Sequence, residues 1–149
     1  MAKQYDVIII GSGPAGYTAA IYAARANLSV LMLQGYQTGG QLMLTSDVEN
    51  YPGFEEGILG PEMMEKFEAQ ARRFGTELMA EDVTAVDFSK RPFKVTTDFG
   101  EYSGRAVIIS TGASAQWLGL PSEERLKGRG VTACATCDGF FFKNKDVAV

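Results

Sequence analysis

Apolar positions along the chain follow two rhythms. Val7-Ile8-Ile9-Ile10 is a continuous run, and residues 28–33 form another. Runs of this kind predict strands buried on both faces, as in a parallel sheet. Between them, residues 15–25 are alanine-rich and predict a helix, with Ala15, Ala19, Tyr22, Ala23 and Ala26 on one face. A second helix is predicted from Pro61, where Met63, Phe67, Ala71 and Phe74 recur at helical spacing and Gly75 follows as a cap. Its stripe reads as core, and its Lys66, Glu68, Arg72 and Arg73 as a solvated face. From Leu78 the rhythm becomes that of strands, at 82–88, 93–97 and 102–111, with turns at 89–92 and 98–101.

The first strand runs directly into Gly11-Ser12-Gly13-Pro14-Ala15-Gly16, spaced G-x-G-x-x-G. Gly11 suits the tight turn, Gly13 lets a pyrophosphate reach the backbone, and Gly16 lets the helix pack closely. The helix N-terminus offers unpaired N–H groups to a diphosphate, and Pro14 is tolerated in its first turn. Strand, turn, helix and strand fit within about thirty residues, the size of a dinucleotide-binding unit. A glycine turn with no ligand is the plainer alternative. The acid that usually holds the ribose is replaced by Gln34. Its amide can bond a hydroxyl but does not choose between FAD, NAD and NADP.

Residues 35–60 read as irregular, with Gly39-Gly40-Gln41 and Asn50-Tyr51-Pro52-Gly53 among them. They are either laid over the cofactor, with Gln41 and Asn50 as amide donors, or a solvated loop. The strand ending at Ser110 leads into Thr111-Gly112-Ala113, candidates for a second cofactor contact at a strand's carboxyl end. Residues 115–132 read as a linker, with a domain boundary near residue 115.

Composition narrows the chemistry. The 149 residues are 46% hydrophobic and 21% charged, which fits a globular chain. A net charge of −4 offers no basic patch for nucleic acid. No apolar run approaches a membrane span, and no signal peptide is expected, so the cytoplasm is the default. Histidine is absent, which removes Ser-His-Asp, Cys-His and His-metal sites from this chain. The only two cysteines stand in Cys134-Ala135-Thr136-Cys137-Asp138-Gly139. Two cysteines without histidine cannot complete a zinc site. A structural disulfide closing so small a loop adds only about 2 kcal/mol and is unexpected in the cytosol. A redox dithiol fits the spacing, since a nearby helix N-terminus can lower a thiol pKa. Asp138 is then a candidate acid, or a helix N-cap. A dinucleotide turn upstream of such a pair points to a nucleotide-borne electron carrier feeding a dithiol.

Taken with Gly39-Gly40-Gln41-Leu42, Val48-Glu49-Asn50-Tyr51-Pro52-Gly53 and Cys134 to Phe141, the glycine turn makes nearly the whole chain resemble the N-terminal part of a low-molecular-weight bacterial thioredoxin reductase. The resemblance implies an α/β fold. It would be a Rossmann-like FAD-binding domain, a parallel sheet with helices plus a β-meander, over residues 1–115. The start of a second nucleotide-binding domain would follow over 116–149. It implies a homodimeric thioredoxin-disulfide reductase in which NADPH reduces FAD, FAD reduces the disulfide, and the dithiol reduces thioredoxin. Gly11, Ser12, Gly13, Pro14, Ala15 and Gly16 would hold the FAD pyrophosphate, and Gln34 would take the ribose position. Gly40, Gln41 and Asn50 would lie at the flavin part, Val83 at adenine, and Thr111, Gly112 and Ala113 would cross the cofactor again. Cys137 would be the flavin-side sulfur, Cys134 the one that attacks thioredoxin, and Asp138 the acid, while Phe140 and Phe141 would help dock the partner. No metal is implied. Residues 146–149 look like the first strand of an NADPH unit, so a fragment without an NADPH site, inactive alone, is expected. The rivals are a non-catalytic FAD-binding fragment, and a related flavin disulfide reductase fed by ferredoxin or serving a peroxiredoxin system.

Overall fold

The β-branched run beside the glycine turn forms β1 (Gln4–Ile10), whose Ile8 and Ile9 are fully buried. A computed structural model describes residues 3–149, and for Thr136 the backbone only. The helices are α1 (Pro14–Arg25), α2 (Gly60–Arg73), α3 (Pro121–Leu126) and α4 (Ala135–Asp138). The remaining strands are β2 (Val30–Leu33), β3 (Asp47–Val48), β4 (Ile58–Leu59), β5 (Glu77–Met79), β6 (Val83–Asp87), β7 (Phe93–Thr97) and β8 (Glu101–Ile109). The chain divides into two compact units, one up to Gly112 and the other Ala113–Val149.

In the first unit, six strands form one sheet in the order β5-β2-β1-β8-β7-β6. β5, β2, β1 and β8 are mutually parallel neighbours, and β6-β7-β8 is an antiparallel meander. From Val7 onward, alternate residues of β1 and β2 serve two cores, and an irregularity at Asp6-Val7, whose N–H groups both donate to the Ser29 carbonyl, puts Tyr5 with the second. Val7, Ile9, Val30 and Met32 face Tyr17, Ala20 and Ala24 of α1 and Met64 and Ala71 of α2. Tyr5, Ile8, Ile10, Leu31 and Leu33 gather with Val95 of the meander on the opposite face. Each fully buried isoleucine contributes roughly 1.5–3 kcal/mol by leaving water.

Several boundaries differ from the sequence reading, each for a local reason. The inner face of α1 is Gly16, Tyr17, Ala20 and Ala24, while Tyr22 is 73% exposed. Alanines on every side give that helix no distinct stripe, so the close approach at Gly16 chooses the face. β2 begins only at Val30, because Asn27 turns the chain at φ 59° after α1. The stretch 35–60 is partly ordered: Gly40–Leu44 is a 3-10 helix, and β3 pairs antiparallel with β4. Val48, Ile58 and Met63 pack that ribbon onto α2. β5 extends the parallel sheet through a run too short to show a period. In the second unit the expected linker contains α3, whose Glu123 carboxylate accepts from the N–H groups of Leu118 and Leu120. Residues 146–149 form no strand, since a parallel strand requires neighbours and none among the described residues pairs with them.

Candidate functional site

Because β5, β2, β1 and β8 run parallel, their carboxyl ends share one edge of the sheet, where ligands of open α/β sheets bind. Gly11 opens the turn at φ +104°, and a Cβ there would lie 2.4 Å from the Ser110 carbonyl oxygen. A Cβ on Gly16 would lie 2.1 Å from the Gly11 carbonyl oxygen, so the first turn of α1 rests on the glycine turn itself. A Cβ on Gly13 would meet nothing within 4 Å. That open side is where a ligand can approach the main chain.

Helix α1 has Gly13 as its N-cap, with no side-chain cap and no acidic residue in its first turn. Tyr17 N–H donates to the Gly13 carbonyl, which leaves the N–H groups of Ala15 and Gly16 among the unpaired donors of the helix start. Pro14 contributes no donor. An uncapped, open helix start fits a diphosphate.

Ser12 fastens this turn to its neighbours. Its hydroxyl donates to the Gln34 carbonyl at 2.9 Å and accepts from Gly39 N–H at 3.1 Å. The Ser12 side chain is therefore used within the protein, and its backbone N–H is the group left for a phosphate. The same loop brings Gly40 against the turn: a Cβ on Gly40 would sit 3.2 Å from the Gly13 Cα.

Gln34 directly follows β2 with only 7% exposure. Its side-chain amide donates to the Tyr17 hydroxyl at 2.8 Å and to a Glu68 carboxylate oxygen at 3.2 Å. Tyr17 in turn donates to Glu68 at 3.0 Å, and Arg72 holds the other Glu68 oxygen at 2.9 Å. Burial pushes the Glu68 carboxyl up, but the hydrogen bonds from Arg72, Tyr17 and Gln34 outweigh it and hold the group below its usual range. Burial and the adjoining Glu68 charge push the Tyr17 hydroxyl up, so it stays protonated. Glu68 thus does not belong to the solvated face expected for α2. Tyr17 and Glu68 were missed in sequence because they lie 17 and 34 residues from Gln34. A polar residue interrupting the inner faces of both helices was the only signal.

Val83 begins β6 beside this edge. Gln34 N–H donates to the Met79 carbonyl, Gly35 N–H to the Glu81 carbonyl, and Tyr36 N–H to Asp82 Oδ1. Tyr36 also donates its hydroxyl to Asp98, and that bond pushes its pKa up to about 12. Gln41 and Asn50 are exposed, and neither side-chain amide is hydrogen-bonded among the described residues. Asn50 opens into a hollow of about 560 Å³ along Glu49–Glu55. Thr111 and Gly112 are exposed and close the first unit, and Ala113 opens the second.

In the second unit Cys134 and Cys137 form a disulfide with Cα atoms 5.3 Å apart. Cys134 is the N-cap of α4, and its sulfur accepts from Cys137 N–H at 3.2 Å. Asp138 ends α4 and stands at the N-cap of the 3-10 helix Gly139–Phe142, but its side chain makes no cap hydrogen bond there and bonds another partner. That partner is Thr132, whose hydroxyl donates to Asp138 and accepts from Cys134 N–H. Phe140 and Phe141 are 79% and 72% exposed, stacked edge to face. Among the described residues no cluster of acidic or sulfur ligands could hold a metal, and no helix is long and apolar enough to cross a membrane.

Comparison with known proteins gives the family. The chain is 58% identical over 147 residues to a thioredoxin reductase of Vibrio cholerae, covering 99% of this chain and 46% of that protein. It is 57% identical over 147 residues to a Pseudomonas fluorescens protein named glucosaminate ammonia-lyase, with the same coverage. The crystal structure of thioredoxin reductase from Streptococcus pyogenes superposes with a TM-score of 0.84 at 44% identity, covering 95% of this chain and 46% of that one. The chain spans about half the length of the curated relatives it matches. Residues 5–149 match the pyridine nucleotide-disulphide oxidoreductase family, to which the chain belongs, and within it the chain resembles the N-terminal portion of bacterial-type thioredoxin reductases.

Proposed function

We propose that this chain supplies the FAD site and the redox disulfide of a thioredoxin-disulfide reductase. The observation that carries the reading is the Cys134–Cys137 disulfide at the start of α4, in a chain of this family whose α1 N-terminus is left open. When bound, FAD supplies a two-electron carrier between a nicotinamide donor, NADPH, and a disulfide. The N–H groups of Ala15 and Gly16 and the Ser12 backbone hold its diphosphate beside the bare face of Gly13. Gln34 receives the adenosine ribose, Val83 the adenine, and Gly40, Gln41 and Asn50 the flavin portion. Thr111, Gly112 and Ala113 complete the cofactor's path.

The chemistry at sulfur is a thiol–disulfide exchange. Two electrons and two protons open the Cys134–Cys137 bond to two thiols. The Cys134 thiolate attacks the thioredoxin disulfide and releases one thioredoxin thiolate. Cys137 then attacks the mixed disulfide, releases the second thiolate and restores the bond. Asp138, oriented by Thr132, holds the proton that Cys137 gives up or takes back. Cys134 stands at the start of α4, where its sulfur accepts the Cys137 N–H. Exposed Phe140 and Phe141 offer thioredoxin an apolar foothold. The working protein is a cytoplasmic homodimer in which further sequence supplies the NADPH site.

In the full-length protein, Cys134→Ser should abolish thioredoxin reduction while NADPH still bleaches the flavin. Loss of flavin bleaching in that variant would contradict the assignment of the two sulfurs.

A further inference from the structure

Gln34 carries a buried side-chain amide whose nitrogen is hydrogen-bonded and whose oxygen has no partner among the described residues. Its NH₂ group is taken by the Tyr17 hydroxyl and the Glu68 carboxylate. An ionised carboxylate can only accept, so the amide must present NH₂ to Glu68, and its Oε1 must point away. Among the described residues that Oε1 accepts no hydrogen bond. Nor is it sealed: among the described residues only Thr76 has a side-chain polar atom both buried and unpartnered. The empty acceptor therefore sits at the end of β2, on the residue whose carbonyl is bound by Ser12 of the glycine turn. An N–H donated to a carboxylate also polarises the amide and strengthens its oxygen as an acceptor.

Resting on the FAD reading above, we propose that Tyr17 and Glu68 are positioning residues that lock the Gln34 amide with Oε1 presented to the adenosine ribose hydroxyls. In place of the carboxylate that dinucleotide sites usually carry at this strand end, Glu68 of α2 accepts from the Gln34 amide. It acts on the ribose through Gln34 rather than by contact. Arg72 neutralises it from the solvent side.

The test uses the full-length protein, stripped of flavin, and two ligands: FAD, and an FAD analogue whose adenosine sugar lacks both hydroxyls. Dissociation constants are read from flavin fluorescence. The wild-type protein should bind FAD about tenfold more tightly than the analogue. Glu68→Gln, whose new amide can present either end to Gln34, and Tyr17→Phe, which removes one partner, should each cut that ratio to about two- to threefold. General destabilisation would weaken both ligands equally and leave the ratio intact. An unchanged ratio in both variants, or equal binding of the two flavins by the wild type, overturns the positioning role while leaving the FAD site standing. Failure of the wild type to bind FAD at all overturns the dinucleotide reading and this inference with it.

Discussion

Gly13 and Gly16 belong to one motif, yet they face different neighbours. A methyl group on Gly16 would collide with the Gly11 carbonyl and approach the Ser110 hydroxyl at 2.9 Å. Gly16→Ala should therefore lower the unfolding free energy by about 3 kcal/mol, measured by denaturant titration. Gly13→Ala meets open space and keeps an ordinary φ of −71°, so it should cost less than about 1 kcal/mol. In the full-length protein it should nonetheless weaken FAD binding by roughly tenfold or more, since the methyl stands where the diphosphate approaches. Glu68 gives a second prediction. Its carboxyl is held below the ordinary 4.5, so its bonds stabilise the fold fully above that pH. The contribution disappears as the pH falls through the lowered value. Acid titration of stability should show this loss, and Glu68→Gln should make the curve shallower; identical curves would remove Glu68 from the account.

At the scale of elements, β1 and β8 depend on a match between Ile8 and Gly104. A Cβ on Gly104 would lie 2.9 and 3.0 Å from two carbons of the fully buried Ile8. Gly104→Val should cost about 1–3 kcal/mol and Ile8→Ala about 2–4 kcal/mol. The double variant should lose less than their sum, because the valine fills space the isoleucine vacates. Strict additivity would show that the two side chains do not share that space. These elements also show what a sequence can disclose. β1 and the glycine turn were legible because a run of β-branched residues ending in glycine has few other uses. The meander was legible from its turns, and β7 fell where its alternation placed it. The α1 face was not, because alanines surround that helix and only three-dimensional contact at Gly16 selects a side. β5 escaped notice because Glu77-Leu78-Met79 is shorter than a strand period needs. The bonds among Tyr17, Gln34 and Glu68 were illegible for another reason: each residue alone is an ordinary polar choice, and only the packing of α1 against α2 joins them.

The molecule as a whole has a first unit with its own two-sided core and a second unit, Ala113–Val149, carrying the cysteines. Residues 111–120 are exposed throughout and belong to no helix or strand. Limited proteolysis of the 149-residue chain should cut there first and leave a resistant product ending near Gly112. First cuts inside β1 or α1 would deny the first unit an independent core. The central claim concerns electrons rather than architecture: the cofactor held by the glycine turn reduces the Cys134–Cys137 disulfide. Anaerobic titration of the full-length protein with NADPH tests it most directly, with alkylation of the cysteines read at each point. The account predicts uptake of two electron pairs per protomer, one held by the flavin and one appearing as alkylatable Cys134 and Cys137. Uptake of a single pair, with both sulfurs still bonded when the flavin is fully bleached, would contradict it.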